Sequence, residues 1–328
     1  LSRVALYAEK WDIAAQAARD CATAEGNLDL SENGYAKIFE LGINSPEVLF
    51  AVEFKSSVID HAYDAYVRPS GDTKELGKQV YSGFVPTSEL VDSYEMAGDG
   101  GNFSWEKHGK DPYANREPRF YATILYNGAD WMGRKIESFV GGKDGYKAYE
   151  NAGAAGTTVT GYYLRKYLID GDKTWVTSGS GQDWIVLRYA EVLLNKAEAL
   201  AMENWNKNSA EALQALNDVR ARVGLPARAT ADKETFLEYV RHERKVELAG
   251  EGFRYWDLRR WRLAEKVIDG QNVHGVKISK QSDGSFTYEQ VDADGGHKRI
   301  FYDRYYRFAI PLSERSNNSL CTNNDGWI

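Results

Sequence analysis

Apolar residues fall at Leu1, Val4, Ala5 and Ala8, then at Trp11, Ala14, Ala15, Ala18 and Ala22, at spacings of three and four. That period gathers side chains on one helix face, so the segment predicts two amphipathic helices joined by a tight turn at Glu9-Lys10. The small side chains of Ala14, Ala15 and Ala18 allow close helix contact, as in tetratricopeptide-type pairs. One such pair cannot bury its own face, so residues 1–44 are read as a hairpin continuing a helical part upstream. From Asn27 to about Gly181 the pattern changes. Short apolar runs such as Val48 to Phe54 alternate with Asn44-Ser45-Pro46, Pro69-Ser70-Gly71, Asp99-Gly100-Gly101 and Gly141-Gly142. These turn-forming clusters predict short strands and long ordered loops with few long helices. Loops of that length inside a compact domain are uncommon unless they serve a purpose.

Helical spacing returns at Leu187, Ala190, Leu194, Ala197 and Ala201, and again at Ala212, Leu216, Val219 and Val223, where Gly224-Leu225-Pro226 stops it. A third helix is expected from near Asp232, with Phe236, Leu237 and Val240 on its apolar face. Val276 and Ile278, then Asp283-Gly284, then Phe286 and Tyr288 predict a β-hairpin. The tail from Arg299 is rich in aromatics and turns.

The densest charge cluster is Arg241-His242-Glu243-Arg244-Lys245-Val246-Glu247, continuing through Glu251, Arg254, Asp257, Arg259 and Arg260. Projecting the stripe of Leu237 and Val240 forward at helical spacing carries it through Glu243, Arg244, Glu247 and Glu251, which places charges on the inward face. Buried unpaired, each ion would cost several kcal/mol, so the pattern predicts a structural network of salt bridges such as Arg244 with Glu247 or Arg254 with Asp257. The pair His242-Glu243 resembles the start of a zinc-protease helix, but position 246 is Val where the second histidine belongs. Asp292-Ala293-Asp294-Gly295 lacks the later ligands of a calcium loop and reads as a turn. Gly179-Ser180-Gly181 lacks the third glycine and the lysine of phosphate loops, and no Gly-x-Ser-x-Gly occurs. The sequence therefore suggests no metal, no cofactor and no nucleophilic triad.

The 328 residues carry 41 Lys+Arg against 48 Asp+Glu, a formal charge of −7, so no global field collects nucleic acid. No run of eighteen apolar residues marks a membrane span. Cys21 and Cys321 stand far apart in the chain, and whether they pair is left open. The aromatic content is what changes the picture. Aromatics are 13% of the chain, with 9 Trp and 21 Tyr, residues that present an apolar face and a polar edge. Several lie beside the turns of the loop-rich region: Tyr63 and Tyr66 near Pro69, Phe103 and Trp105 after Gly101, Tyr113 after Pro112, and Trp131 after Asp130. Trp131 and Trp105 are candidate stacking platforms for a sugar ring, with Tyr66 and Tyr113 as edges, against the alternative that each packs under its own loop.

The chain resembles the SusD/RagB family of Gram-negative outer-membrane nutrient-binding lipoproteins. The resemblance rests on 187–199 (LRYAEVLLNKAEA), 216–226 (LNDVRARVGLP), 241–248 (RHERKVEL) and 252–261 (GFRYWDLRRW), in matching order and spacing. Weaker echoes lie at 86–94, 115–120, 161–167, 310–312 and 323–327. It implies a mainly α fold, with a tetratricopeptide-type helical scaffold supporting an irregular lobe with a few short strands, and residues 45–328 as the family's C-terminal domain. It also implies a non-catalytic protein that binds oligosaccharide at the cell surface and partners a SusC-like TonB-dependent transporter. Family members carry a lipidated N-terminal cysteine, and the anchor is expected outside the present chain. The motifs mark scaffold positions, so the four aromatic candidates rest on the residue reading alone. A peptide-binding role in nutrient uptake and a glycoside hydrolase built on paired carboxylates stay open as alternatives.

Overall fold

The computed structural model describes residues 1–24, 26–145 and 157–327. The opening periodicity folds as helices α1 (Ser2–Tyr7) and α2 (Trp11–Ala24), and the chain reverses at Glu9, whose φ is 56°. Ala14, Ala15 and Ala18 are buried against the long α10 (Tyr189–Arg222) and share one core with Leu194, Ala197, Leu216 and, from α11 (Lys233–Glu247), Phe236 and Val240. Methyl side chains at these positions let the helix backbones approach closely, as the spacing predicts. The two helical stretches read between residues 187 and 223 form one element bent at Asn204, which has φ −165° and ψ 93°. Polar side chains satisfy the backbone freed there: Asn208 Nδ2 donates to the Leu200 carbonyl at 3.3 Å, and Asn204 Oδ1 accepts from the Lys207 amide at 3.2 Å. Leu187, counted with the helix by its spacing, belongs instead to strand β6 (Trp184–Arg188). That strand runs antiparallel to β1 (Val48–Val52) and leads directly into α10. Helix α11 starts where expected, with Asp232 capping the Thr235 amide at 2.8 Å.

Between these helices lies the lobe. Its helices are short: α3 (Gly34–Leu41), α4 (Tyr63–Val67), α5 (Asp72–Leu76), α6 (Ser88–Val91), α7 (Trp105–His108), α8 (Pro118–Thr123) and α9 (Trp175–Ser178). Its strands pair two by two: β2 (Ile124–Leu125) with β5 (Tyr163–Leu164), and β3 (Asp130–Trp131) with β4 (Arg134–Lys135). The hairpin expected from Val276 to Tyr288 forms as β7 (His274–Lys280) and β8 (Phe286–Asp292), and Val276 and Ile278 are buried with Tyr94 and Phe120. Helices α12 (Arg254–Arg260), α13 (Ala264–Ile268) and α14 (Leu312–Asn317) follow α11. No disulfide joins Cys21 to Cys321.

Where scaffold and lobe meet, charges replace hydrocarbon. The buried Glu247 carboxylate accepts from Arg188 at 2.6 Å, from Arg119 at 3.0 Å, and from Arg222. Arg188 also reaches Glu47 at 2.8 Å and Glu251 at 2.7 Å, and Glu243 takes Arg119 and Arg220. Two pairings suggested by spacing along the helix are not made. Arg244 turns from Glu247 to Asp257, at 2.8 and 3.1 Å, and to Asn195 at 2.7 Å. Asp257 is completed by Arg260 at 2.9 Å, which leaves Arg254 out of the network. For Glu247, a side chain three positions away on the same helix is a weaker competitor than guanidinium groups held by separate packed elements, which need no further ordering to bind. At Asp257 the winner, Arg260, is itself three positions away but is also fixed by Glu198.

Candidate functional site

Among the four aromatic candidates the structure separates one exposed ring from three covered ones. Trp131 on β3 is fully buried, donates from Nε1 to Asp72 Oδ2 at 3.0 Å, and lies under the guanidinium of Arg68, 5.2 Å from its ring. Tyr113 is buried among Phe120, Tyr126 and Tyr162. Trp105 is half-buried, with Nε1 donating to Asp92 Oδ2 at 2.8 Å and Phe103 against its face. Trp131 as a surface platform and Tyr113 as an edge are both corrected, since each is buried. A loop aromatic with a charged partner beneath it gains more by packing than by facing water. Tyr66 alone among the four is largely exposed, at 46%.

Tyr66 is not isolated. Its ring stacks on Tyr81, with centroids 5.2 Å apart and planes at 28°, and meets the edge of Phe84 at 6.5 Å. Tyr81 is 50% and Phe84 64% exposed. Three contiguous exposed rings are the kind of surface patch that marks a binding site. The segment carrying Tyr81 and Phe84 drew no attention in the sequence. Its signal is the run Val80-Tyr81-Ser82-Gly83-Phe84, in which Val80 and Ser82 turn inward and the rings turn out.

The rings sit on a rigid foundation. The Tyr81 amide donates to the Ala65 carbonyl and the Gly83 amide to the Tyr66 carbonyl, both at 2.7 Å. Ser82 Oγ donates to the Arg68 carbonyl at 3.0 Å. Thus the 80–84 strip is bonded along the end of α4. Below it the buried Arg68 donates to Asp64 at 2.7 Å, to Asp72 at 3.3 Å and to the carbonyls of Ile169 and Asp172, and is sandwiched between Trp131 and Trp175, each 5.2 Å away. Arg134 ties Asp72 at 2.8 Å to Asp144 at 2.7 Å. Although burial works against its charge, the bonds to Asp144 and Asp72 hold the Arg134 guanidinium above its usual pKa. Rings whose backbone is fixed in this way lose little freedom on meeting a flat apolar partner, which favours binding. The arrangement offers flat faces with phenol hydroxyls at the rim, suited to stacking and hydrogen bonding with a polyhydroxylated ring. Tyr66, Trp105, Tyr113 and Trp131 are not brought together. Trp105 and Tyr113 belong to the core beneath the β7–β8 hairpin, and Trp131 to the core beneath α4.

The fold and this site define a helical frame carrying a loop-built lobe with a fixed, outward cluster of rings. The model of the SusD family matches residues 46–327, and the chain belongs to that family. A SusD-like protein from Bacteroides fragilis superposes with a TM-score of 0.79 at 25% identity, covering 99% of this chain and 63% of that one. A SusD-like carbohydrate-binding protein from the same species gives 0.76 at 25% identity, covering 97% and 62%. The SusD-like protein P38 of Formosa agariphila is 32% identical over 133 residues, 38% of this chain and 25% of that protein. The chain therefore spans about three fifths of the length of these solved relatives. Among the described residues no helix is long and apolar enough to cross a membrane.

Proposed function

We propose that this chain is part of a non-catalytic receptor that holds an oligosaccharide at the outer face of the outer membrane and passes it to a SusC-like TonB-dependent transporter. The observation that carries the reading is the exposed cluster of Tyr66, Tyr81 and Phe84 on a hydrogen-bonded, ion-paired base. A relative of the same fold, from Bacteroides fragilis, is a carbohydrate-binding protein, which supports the same ligand class here. Stacking of a base on an aromatic ring is worth about 1–3 kcal/mol. If sugars sit near the lower end, two or three rings contribute about 2–3 kcal/mol, which alone gives millimolar affinity, weak enough for handover. Membership of the SusD family supports including a SusC-like partner and a membrane anchor in this reading. The test is calorimetric titration with a panel of neutral oligosaccharides, together with an assay for released reducing ends. Binding that Tyr81→Ala weakens, without release of reducing ends, supports the reading. Binding that ignores Tyr81, or cleavage of the glycan, contradicts it.

A further inference from the structure

The charge cluster after residue 240 has two faces. Glu243, Arg244 and Glu247 enter the buried network, while Arg241 and Lys245 lie about 160 to 200° around α11 from Glu243, at 100° per residue. With His242, Arg254 of α12 and Lys266 of α13 they line a cavity of about 240 Å³ between α11, α12 and α13. One carboxylate, Glu238, faces these cations. It is itself mostly exposed and is held by Arg241 at 2.6 Å.

Arg116 and Arg259 are buried on backbone carbonyls, but most buried cations elsewhere in the chain meet carboxylates, and Arg188 alone touches three. Here they do not. Among the described residues Arg254 makes no salt bridge or hydrogen bond, although the charges of Asp257 and Glu238 act on it from farther off, and Arg241 Nε is buried without a hydrogen-bond partner. Lys245 donates only to neutral oxygens, the Glu89 carbonyl and Ser93 Oγ. The acids behind it, Glu89 and Asp92, act on it through space but make no ion pair with it; Glu89 is held by His274 at 2.5 Å and one oxygen of Asp92 by Trp105. His242 faces Glu95 at 3.3 Å. Burial, and then the charge of Arg254, push the Lys245 ammonium down to about 8, and burial also lowers Arg254. Positive charge is thus concentrated in a small concave site of a chain whose net charge is −7, with fewer direct counter-charges than Arg119, Arg188 or Arg220 receive.

We propose that this cavity binds a compact tetrahedral oxyanion, the sulfate or phosphate ester of a sugar, between Arg241, Lys245, Arg254 and Lys266. Guanidinium forks match the paired oxygens of such a group, and ammonium groups add point charge. The volume lies below that of pockets for drug-sized ligands and suits a small charged group. The site lies apart from the ring cluster, so its failure leaves the reading of the rings untouched.

The test is calorimetric titration of the chain at fixed ionic strength, balanced with sodium chloride, using inorganic sulfate, inorganic phosphate, glucose 6-sulfate and glucose 6-phosphate. Saturable binding of at least one ester is expected, with Arg254→Gln weakening it about tenfold or more, the loss typical of one charge-assisted hydrogen bond. Lys266→Gln, at an exposed position, weakens it by a smaller factor, and Tyr66→Ala leaves it unchanged. Absence of saturable binding by any of the four probes overturns the proposal. So does binding of the free ions but of neither ester, and so does ester binding indifferent to both Arg254→Gln and Lys266→Gln. Should Arg254→Gln fail to fold by circular dichroism, the wild-type titration and Lys266→Gln decide.

Discussion

Replacing Glu247 with glutamine isolates the energetics of the charged interface between scaffold and lobe. The carboxylate is buried and accepts from guanidinium groups on three separate elements: Arg119 on α8 at 3.0 Å, Arg188 at the end of β6 at 2.6 Å, and Arg222 at the end of α10. Glutamine keeps the shape but turns one acceptor into an NH₂ group facing these donors, and it leaves buried positive charge uncompensated. Breaking a buried ion pair from one side costs about 3–5 kcal/mol. The sign with pH follows from the same geometry. Burial alone would raise the Glu247 pKa, but Arg222, Arg188 and Arg119 hold it well below the usual carboxylate range. A group depressed in the folded state stabilises fully above its unfolded pKa, near 4.5, and loses that contribution as pH falls toward the folded value. The gap between wild type and Glu247→Gln is therefore about 3–5 kcal/mol at pH 7 and narrows by about 1.4 kcal/mol per pH unit below about 4.5. Urea unfolding followed by tryptophan fluorescence and far-UV circular dichroism, at pH 7 and pH 3.5, measures both numbers. Glu211→Gln is the control, because Glu211 and its partner Arg19 are partly exposed and screened by solvent, so the loss should stay under about 1 kcal/mol. Equal, small losses for the two variants would refute the view that the buried lattice locks lobe to scaffold.

Three further outcomes follow from the same contacts. Trp131→Ala removes a fully buried indole and its bond to Asp72, and should destabilise by about 3–5 kcal/mol in thermal or urea unfolding; a fold of wild-type stability would mean that the ring is not packed as described. Tyr66→Ala, at an exposed ring, should cost the fold under about 1 kcal/mol while weakening neutral-glycan binding about five- to thirtyfold, which calorimetry and a melting curve separate. Asp92 is pushed up to about 6 by burial against the help of the Trp105 hydrogen bond, and its Oδ1 has no hydrogen-bond partner. A carboxylate whose folded pKa is raised loses stability as pH climbs from its unfolded value to the folded one, so Asp92→Asn should stabilise by about 1–3 kcal/mol at pH 8 and by little at pH 4. Equal effects at both values would contradict the assignment.

The helical frame was legible because its signal is local. Three-and-four spacing at Ala14, Ala15 and Ala18, the cap at Asp232 and the stop at Gly224 each act within a turn or two of chain. The hairpin at 274–292 was legible for the same reason. Pairings set by packing between distant segments were not. Nothing near Glu247 in sequence tells that Arg119, Arg188 and Arg222 converge on it, and the local candidate Arg244 goes to Asp257 instead. The rings fail the sequence reading in the same way. Trp131 and Tyr66 both lie beside turns of the lobe, yet Asp72 and Arg68 draw one inward while backbone bonds to the 80–84 strip hold the other outward. Tyr81 and Phe84 could have been found from the inward Val80 and Ser82 that alternate around them, but only by assuming an edge strip where no regular strand forms.

The central claim is that a fixed set of outward rings grips a glycan while the ion-paired frame beneath stays inert. A crystal structure of the chain with the tightest-binding neutral oligosaccharide from the panel tests it most directly. The account predicts a pyranose ring lying flat within van der Waals reach of Tyr66, Tyr81 or Phe84, with the 80–84 strip unmoved and the glycan intact. A sugar seated on another surface, with these rings bare, would contradict it.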